Sequence, residues 1–198
     1  MLGIADFAAA QNSKSPTYVG SKACAACHGD QAAKWSRSHH AWAWQSPSDH
    51  SVLGDFNNIV FEHNGVKSKF FRRDGKYYIE TDGPDGTPTI YELKGTVGVS
   101  PLQQYIVETE PGRLQALDVV WDVERRSWYH LYPDLDLRAG NGLHWTGPYK
   151  NWNSHCAECH ATGFNKNYNP RTRNYASKFA ETGVGCEACH GPGEAHIE

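Results

Sequence analysis

The stretch GVGCEACHGPGEAH, Gly183 to His196, places two residues between Cys186 and Cys189, follows them at once with His190, and adds a second histidine, His196, shortly after. The same C-x-x-C-H spacing occurs at Cys24, Cys27 and His28 and again at Cys156, Cys159 and His160, so three copies use all six cysteines. Two thiols a helical turn apart can each add to a vinyl group on one edge of a porphyrin. The next residue then lies under the ring plane, where its imidazole takes an axial position on iron. The pattern predicts three covalently bound haem c groups, anchored by Cys24, Cys27, Cys156, Cys159, Cys186 and Cys189 and ligated by His28, His160 and His190. Zinc knuckles and redox dithiols also use C-x-x-C, but neither needs a histidine directly after every second cysteine. Pairs this close are poor material for loop-closing disulfides.

Composition agrees. Only 39% of the 198 residues are hydrophobic and the mean hydropathy is −0.65, which is polar for a self-sufficient core; buried macrocycles supply apolar surface. Seven tryptophans and eleven histidines suit packing against and ligating porphyrins. The net charge of −3, made more negative by haem propionates, argues against a nucleic-acid partner. No apolar stretch reaches transmembrane length. Residues 1–16 read as a flexible lead-in whose first ten residues are apolar but lack the basic region of a secretory signal. Haem c is attached outside the cytoplasmic membrane, so the expectation is an exported protein, periplasmic or extracellular, whose signal peptide is absent from this chain.

Residues 17–198 read as one multihaem domain. The alanine-rich run from Ser21 to about Trp44 predicts a helix with Ser21 as N-cap. Across 58–132, short β-branched and aromatic runs alternate with the turn signals Asn64-Gly65, Asp74-Gly75, Asp85-Gly86 and Pro111-Gly112. They predict an inserted antiparallel meander of six or seven strands. The two later motifs follow, joined by a polar segment. Asp134 and Asp136 lack the remaining ligand positions of a calcium loop and read as a solvated turn. The fold class is α+β: haem-binding helices and loops at both ends, low in regular secondary structure, around a β-meander.

The runs YVGSKACAACH, WSRSHHA, VLGDF, FFRRDGKYYIETDGPDG, PLQQYIVE, GRLQALDVVWD, WYHLYP, LHWTGPYKNWN, CAECHATGF and VGCEACHGPG span roughly Tyr18 to His196. Together they resemble the multihaem cytochrome c domain related to the tetrahaem cytochrome c of ammonia oxidisers, a type often fused to tetratricopeptide repeats. The resemblance implies a haem-rich scaffold, electron transfer, and axial histidines outside the attachment motifs. This chain carries three attachment motifs where the namesake has four.

The second axial ligand separates a wire from a catalyst. The only methionine is Met1, so a His/Met iron is excluded and either a second histidine closes each iron or the site is open. Two imidazoles on one iron have Cα atoms at most about 13 Å apart. From His28 to His39 or His40 a straight helix would span about 17 Å, so that histidine serves a neighbouring haem. His196, turned away by Gly191-Pro192-Gly193, is likewise expected to reach a haem other than that of His190. Position and the resemblance together put forward His40, His144, His196 and His130 as distal ligands, with His39 as the alternative to His40. Four candidates for three irons leave one surplus.

Three function classes follow. The leading one is an electron carrier with three bis-His, low-potential haems that docks transiently to redox partner proteins. The alternative is an oxidoreductase with one open five-coordinate haem acting on a small nitrogen or sulfur oxyanion or on peroxide, with His130, Arg138 or Tyr149 as acid or base groups. The third is self-assembly into a filament or haem relay, the surplus histidine ligating a haem of the next subunit and the meander presenting strand edges.

Overall fold

The computed structural model describes residues 16–198. The apolar start of the chain and nearly all of the predicted lead-in lie outside them. Strands β1 (Ile59–His63), β2 (Val66–Arg73), β3 (Lys76–Asp82), β4 (Pro88–Val97) and β5 (Leu102–Glu110) pair antiparallel in chain order. The first two hairpins turn on Asn64-Gly65 and Asp74-Gly75, where all four residues have positive φ. Turns of that kind match the twist of the strands they join.

The run from Arg113 to Trp121, uninterrupted by any of the turn signals, forms two strands. β6 (Arg113–Ala116) pairs with the far half of β5, and β7 (Val119–Asp122) pairs with its start, at Leu102 and Gln103. The break at Leu117 is supported by side chain and backbone: Gln104 Nε2 donates to the Leu117 carbonyl at 2.7 Å, and the Leu117 N–H donates to the Tyr105 carbonyl at 3.0 Å. With β8 (Ser127–His130) on β7, the sheet has eight strands rather than six or seven.

Aromatic side chains fill its concave face. Phe56 meets Phe70, Tyr77, Tyr105 and Trp128 edge to face, with ring centroids 5.2 to 5.7 Å apart. Burying each such side chain contributes about 1.5–3 kcal/mol. The sheet curls strongly: Trp128 of β8 stacks on Phe70 of β2 at 3.5 Å. At the end of β1, His63 lies over His130 at the end of β8, 4.3 Å between rings and 12° from parallel.

The segments flanking the sheet hold short helices: α1 (Ser21–Ala25), α2 (Gly29–Trp35), α3 (Trp152–His155), α4 (Ala157–His160), α5 (Cys186–His190) and α6 (Glu194–Ile197). The continuous helix predicted from Ser21 to Trp44 does not form. His28, at φ −112° and ψ 47°, interrupts it, and beyond Trp35 the Ser38 hydroxyl donates back to the Trp35 carbonyl at 2.6 Å. Such side-chain bonds compete with helix propagation. The straight-helix spacing from His28 to His39 or His40 therefore does not apply. Gly20 rather than Ser21 is the N-cap residue of α1, because the Ser21 N–H and hydroxyl both turn to Glu181. Two small ladders complete the region: β9 (Ala161–Thr162) pairs with β12 (Glu181–Thr182), and β10 (Tyr168–Asn169) with β11 (Asn174–Tyr175). Single bridges from Gln45 to Thr96 and from Asn151 to Gln115 fasten the helical segments to the sheet. Beside the first, Gly95 leaves room for the Trp44 indole, which a β-carbon would overlap. Among the described residues no helix is long and apolar enough to cross a membrane.

A candidate haem centre where three motifs converge

Each C-x-x-C-H motif occupies about one helical turn. Cys186 to His190 forms α5, Cys156 immediately precedes α4, and Cys24 sits in α1 with the His28 N–H donating to the Cys24 carbonyl at 3.0 Å. In all three the first cysteine is half-buried and the second exposed, so each turn lies against the protein by one thiol and presents the other outward.

Gly183, Val184 and Gly185 bring the motifs together. The Gly183 N–H donates to the His160 carbonyl at 3.0 Å, and the Gly183 carbonyl accepts from the Thr162 hydroxyl at 3.0 Å. The Val184 N–H donates to the His40 carbonyl at 2.9 Å, while Trp35 Nε1 donates to the Val184 carbonyl at 2.8 Å. The Gly185 N–H donates to Thr162 Oγ1 at 2.8 Å, and the next N–H, that of Cys186, donates to Ser21 Oγ at 3.0 Å. A β-carbon on Gly185 would overlap the Glu181 carboxylate and crowd the Ser21 hydroxyl, so a larger residue there would displace both. Three residues thus touch the second motif, the segment after the first, and the third. The Cys24 thiol is pushed up by burial and by the neighbouring Cys186 thiol.

Glu187, between the cysteines of the third motif, is 3% exposed. Its carboxylate accepts from the Val19 N–H at 2.9 Å, from Gly20 at 2.7 Å and from Gly193 at 2.7 Å. Burial works to raise its pKa, but the N–H groups of Val19, Gly193 and Gly20 outweigh it and hold the carboxyl below its usual range.

The imidazoles divide into two groups. His28 and His196 are neighbours, with ring centroids 6.3 Å apart and planes 22° from parallel. His160 Nδ1 donates to the Ala43 carbonyl at 2.7 Å, which leaves Nε2 as its free nitrogen, and its ring lies 5.1 Å from Trp152. His190 is exposed, and His39 and His40 are exposed on the turn packed against Val184.

His130 and His144 lie elsewhere, around a cavity of about 40 Å³ at the end of the curled sheet, lined by His63, Asp82, Asp118 and Trp145 among others and by no motif residue. Both ring nitrogens of His144 are taken, Nε2 by Asp82 Oδ2 at 2.9 Å and Nδ1 by the Thr146 hydroxyl at 2.7 Å. His130 Nδ1 accepts from the Tyr132 N–H at 3.1 Å. Burial, then the neighbouring His63, lowers the His130 pKa. Asp118 is ion-paired with Lys150 at 2.8 Å, yet burial still pushes its carboxyl up. Of the other acid or base candidates, Arg138 pairs with Asp136 and Tyr149 is 64% exposed.

Sequence reasoning missed Glu181, Glu187 and the Asp82–His144 pair. Only Glu187 carried a signal, its place inside a motif. Among the described residues no three His, Cys, Asp or Glu side chains gather as a bare metal site.

The chain matches the family described as cytochrome c554 and c-prime over residues 23–58 and 141–191, two segments that flank the sheet and contain all three motifs. No curated protein matches it. Its fold is similar to that of outer cell wall cytochrome OcwA, with a TM-score of 0.58 and 21% identity over 91% of this chain and 32% of that one. It is also similar to an undecahaem cytochrome from the S-layer of Carboxydothermus ferrireducens, with a TM-score of 0.54 and 21% identity over 91% of this chain and 21% of that one. The chain thus spans about a third and a fifth of these structures. The family match thus takes in all three motifs over somewhat less than half of the chain, and the two solved structures share its fold.

Proposed function

We propose that the protein is an electron carrier with three haem c groups, each iron closed by two histidines. The observation that carries this reading is the His28–His196 pair. An imidazole nitrogen ligates a metal at about 2.0 Å, and with about 1.1 Å more to the ring centre, two rings across one iron have centroids about 6 Å apart. The pair stands at 6.3 Å. His196 would then complete the haem of the first motif, as expected of a histidine lent to a haem other than that of His190. His160 is prepared in the same sense: its Nδ1–H is held by a carbonyl, the arrangement that fixes tautomer and ring orientation in ligating histidines. His40, with His39 as the alternative, is the nearest source of a distal ligand for the second or third motif, because its backbone bonds to Val184, two residues before Cys186.

When bound, the haems supply one-electron redox chemistry. The chain's own residues would anchor, ligate and orient them, and the meeting of the second motif, the third and the segment after the first at Gly183–Gly185 supports close haem packing. Docking to other redox proteins is the expected mode of action. The settings named for the two similar structures, an outer cell wall and an S-layer, support an exported, extracellular protein. Kinship with the tetrahaem cytochrome of ammonia oxidisers belongs to the same proposal.

Pyridine haemochrome analysis with low-temperature paramagnetic resonance on the holoprotein tests it. Three haems per chain, all low-spin, are expected. A high-spin fraction near one third would instead indicate an open iron and the oxidoreductase reading.

A further inference from the structure

We propose that Glu187 is the positioning residue for the axial pair of the first haem, so that the helix anchoring the third haem sets the ligation of its neighbour. The inference rests on the assignment of His28 and His196 to one iron.

Glu187 belongs to α5, yet every bond of its carboxylate goes elsewhere. Val19 and Gly20 lie just before α1, the helix that leads into Cys24, Cys27 and His28. Gly193 lies just before α6, the helix that carries His196. Successive backbone N–H groups converging on one anion form a concavity suited to a carboxylate. Here the anion is a side chain that draws two distant segments onto one point. Oε1 accepts from Val19 and Gly193 together, and Oε2 from Gly20 with a second, longer bond from Val19 at 3.1 Å. Among the described residues the hydrogen-bond donors to this carboxylate are all backbone N–H groups, so main-chain dipoles stabilise its charge. A second tie runs between the same segments, where the Thr17 N–H donates to Glu194 Oε2 at 2.9 Å. The two imidazoles whose ring centres lie 6.3 Å apart are thus borne by two segments that share one buried anion.

A carboxylate is the group this arrangement needs. An amide in its place would offer one acceptor oxygen and set an NH₂ group against backbone donors, leaving at least one N–H unpaired. An aspartate would keep the charge but fall short by a methylene.

The test uses the full-length holoprotein with Glu187→Gln, Glu187→Asp and His196→Ala, read by haem count, paramagnetic resonance and reductive titration. The expected result for Glu187→Gln is three retained haems, with about one third of the iron leaving the low-spin signal or shifting in g-value and midpoint potential while the other two thirds stay unchanged. Glu187→Asp should lie between it and the parent. A role confined to folding would move all three haems alike, and that result overturns the proposal. If His196→Ala turns one third of the iron high-spin while both Glu187 variants match the parent, the positioning role is wrong and the axial assignment stands. If His196→Ala leaves every iron low-spin, the assignment itself fails. Should Glu187→Gln yield no holoprotein, Glu187→Asp decides alone, and an unchanged spectrum there rejects the inference.

Discussion

Ser21 and Glu181, 160 residues apart in sequence, meet through a 2.7 Å hydrogen bond from the serine hydroxyl to the carboxylate, and the same hydroxyl accepts the Cys186 N–H at 3.0 Å. One small side chain therefore joins the helix of the first motif to that of the third. Ser21 is 4% exposed, so its loss leaves buried polar groups without a partner. Ser21→Ala should destabilise the holoprotein by about 1–3 kcal/mol, read as a lowered urea midpoint. An unchanged midpoint would show that the junction contributes nothing measurable.

His144 is held by Asp82 and Thr146 rather than facing a motif. His144→Phe should lower stability by about 1–3 kcal/mol through the stranded Asp82 carboxylate, with all irons still low-spin. A new high-spin signal in that variant would make His144 a ligand after all.

The stacked pair His63 and His130 should make stability sensitive to mild acid. Burial, then His63, lowers the folded pKa of His130, with Asp118 opposing. The unfolded chain then binds protons first, so stability falls as pH drops from above the unfolded value of 6.5 toward the lower folded value. His130→Phe should flatten that slope between about pH 7 and 5. Parallel slopes for parent and variant would rule the pair out as its source.

Glu187 acts at lower pH and also favours neutral conditions. Its carboxyl is held below its usual value, so its contribution is full above the unfolded pKa of 4.5 and is lost as pH falls through the lower folded pKa. Urea midpoints measured from about pH 6 down to 3 should fall more steeply for the parent than for Glu187→Gln. Equal steepness would mean that the carboxylate is not ionised against those N–H groups.

Much of the sheet was legible because its signals are local. Asn64-Gly65 and Asp74-Gly75 demand the turns they make, and the runs between them alternate with period two. The break at Leu117 was not legible, since RLQALDVVW holds no glycine, proline or asparagine to mark a turn and its division depends on Gln104 reaching the Leu117 carbonyl from a neighbouring strand. The long helix failed for a similar reason. Alanine-rich propensity argued for it, but Trp35 and His40 are committed to Val184, far away in sequence. Cysteine spacing marks the expected anchoring residues directly, whereas the surroundings of the other histidines follow from partners such as Asp82 and Ala43, which spacing cannot reveal. Glu187 is marked in sequence only by its place inside a motif, which does not reveal the three backbone donors that it is buried against.

The curl that lays His63 over His130 also bears on how copies of this protein meet. A flat meander leaves two rims of unpaired amides and carbonyls on which a foreign strand can template itself. Here the rims, only five and four residues long, turn toward each other across one seam. Strand addition along that seam is thereby discouraged.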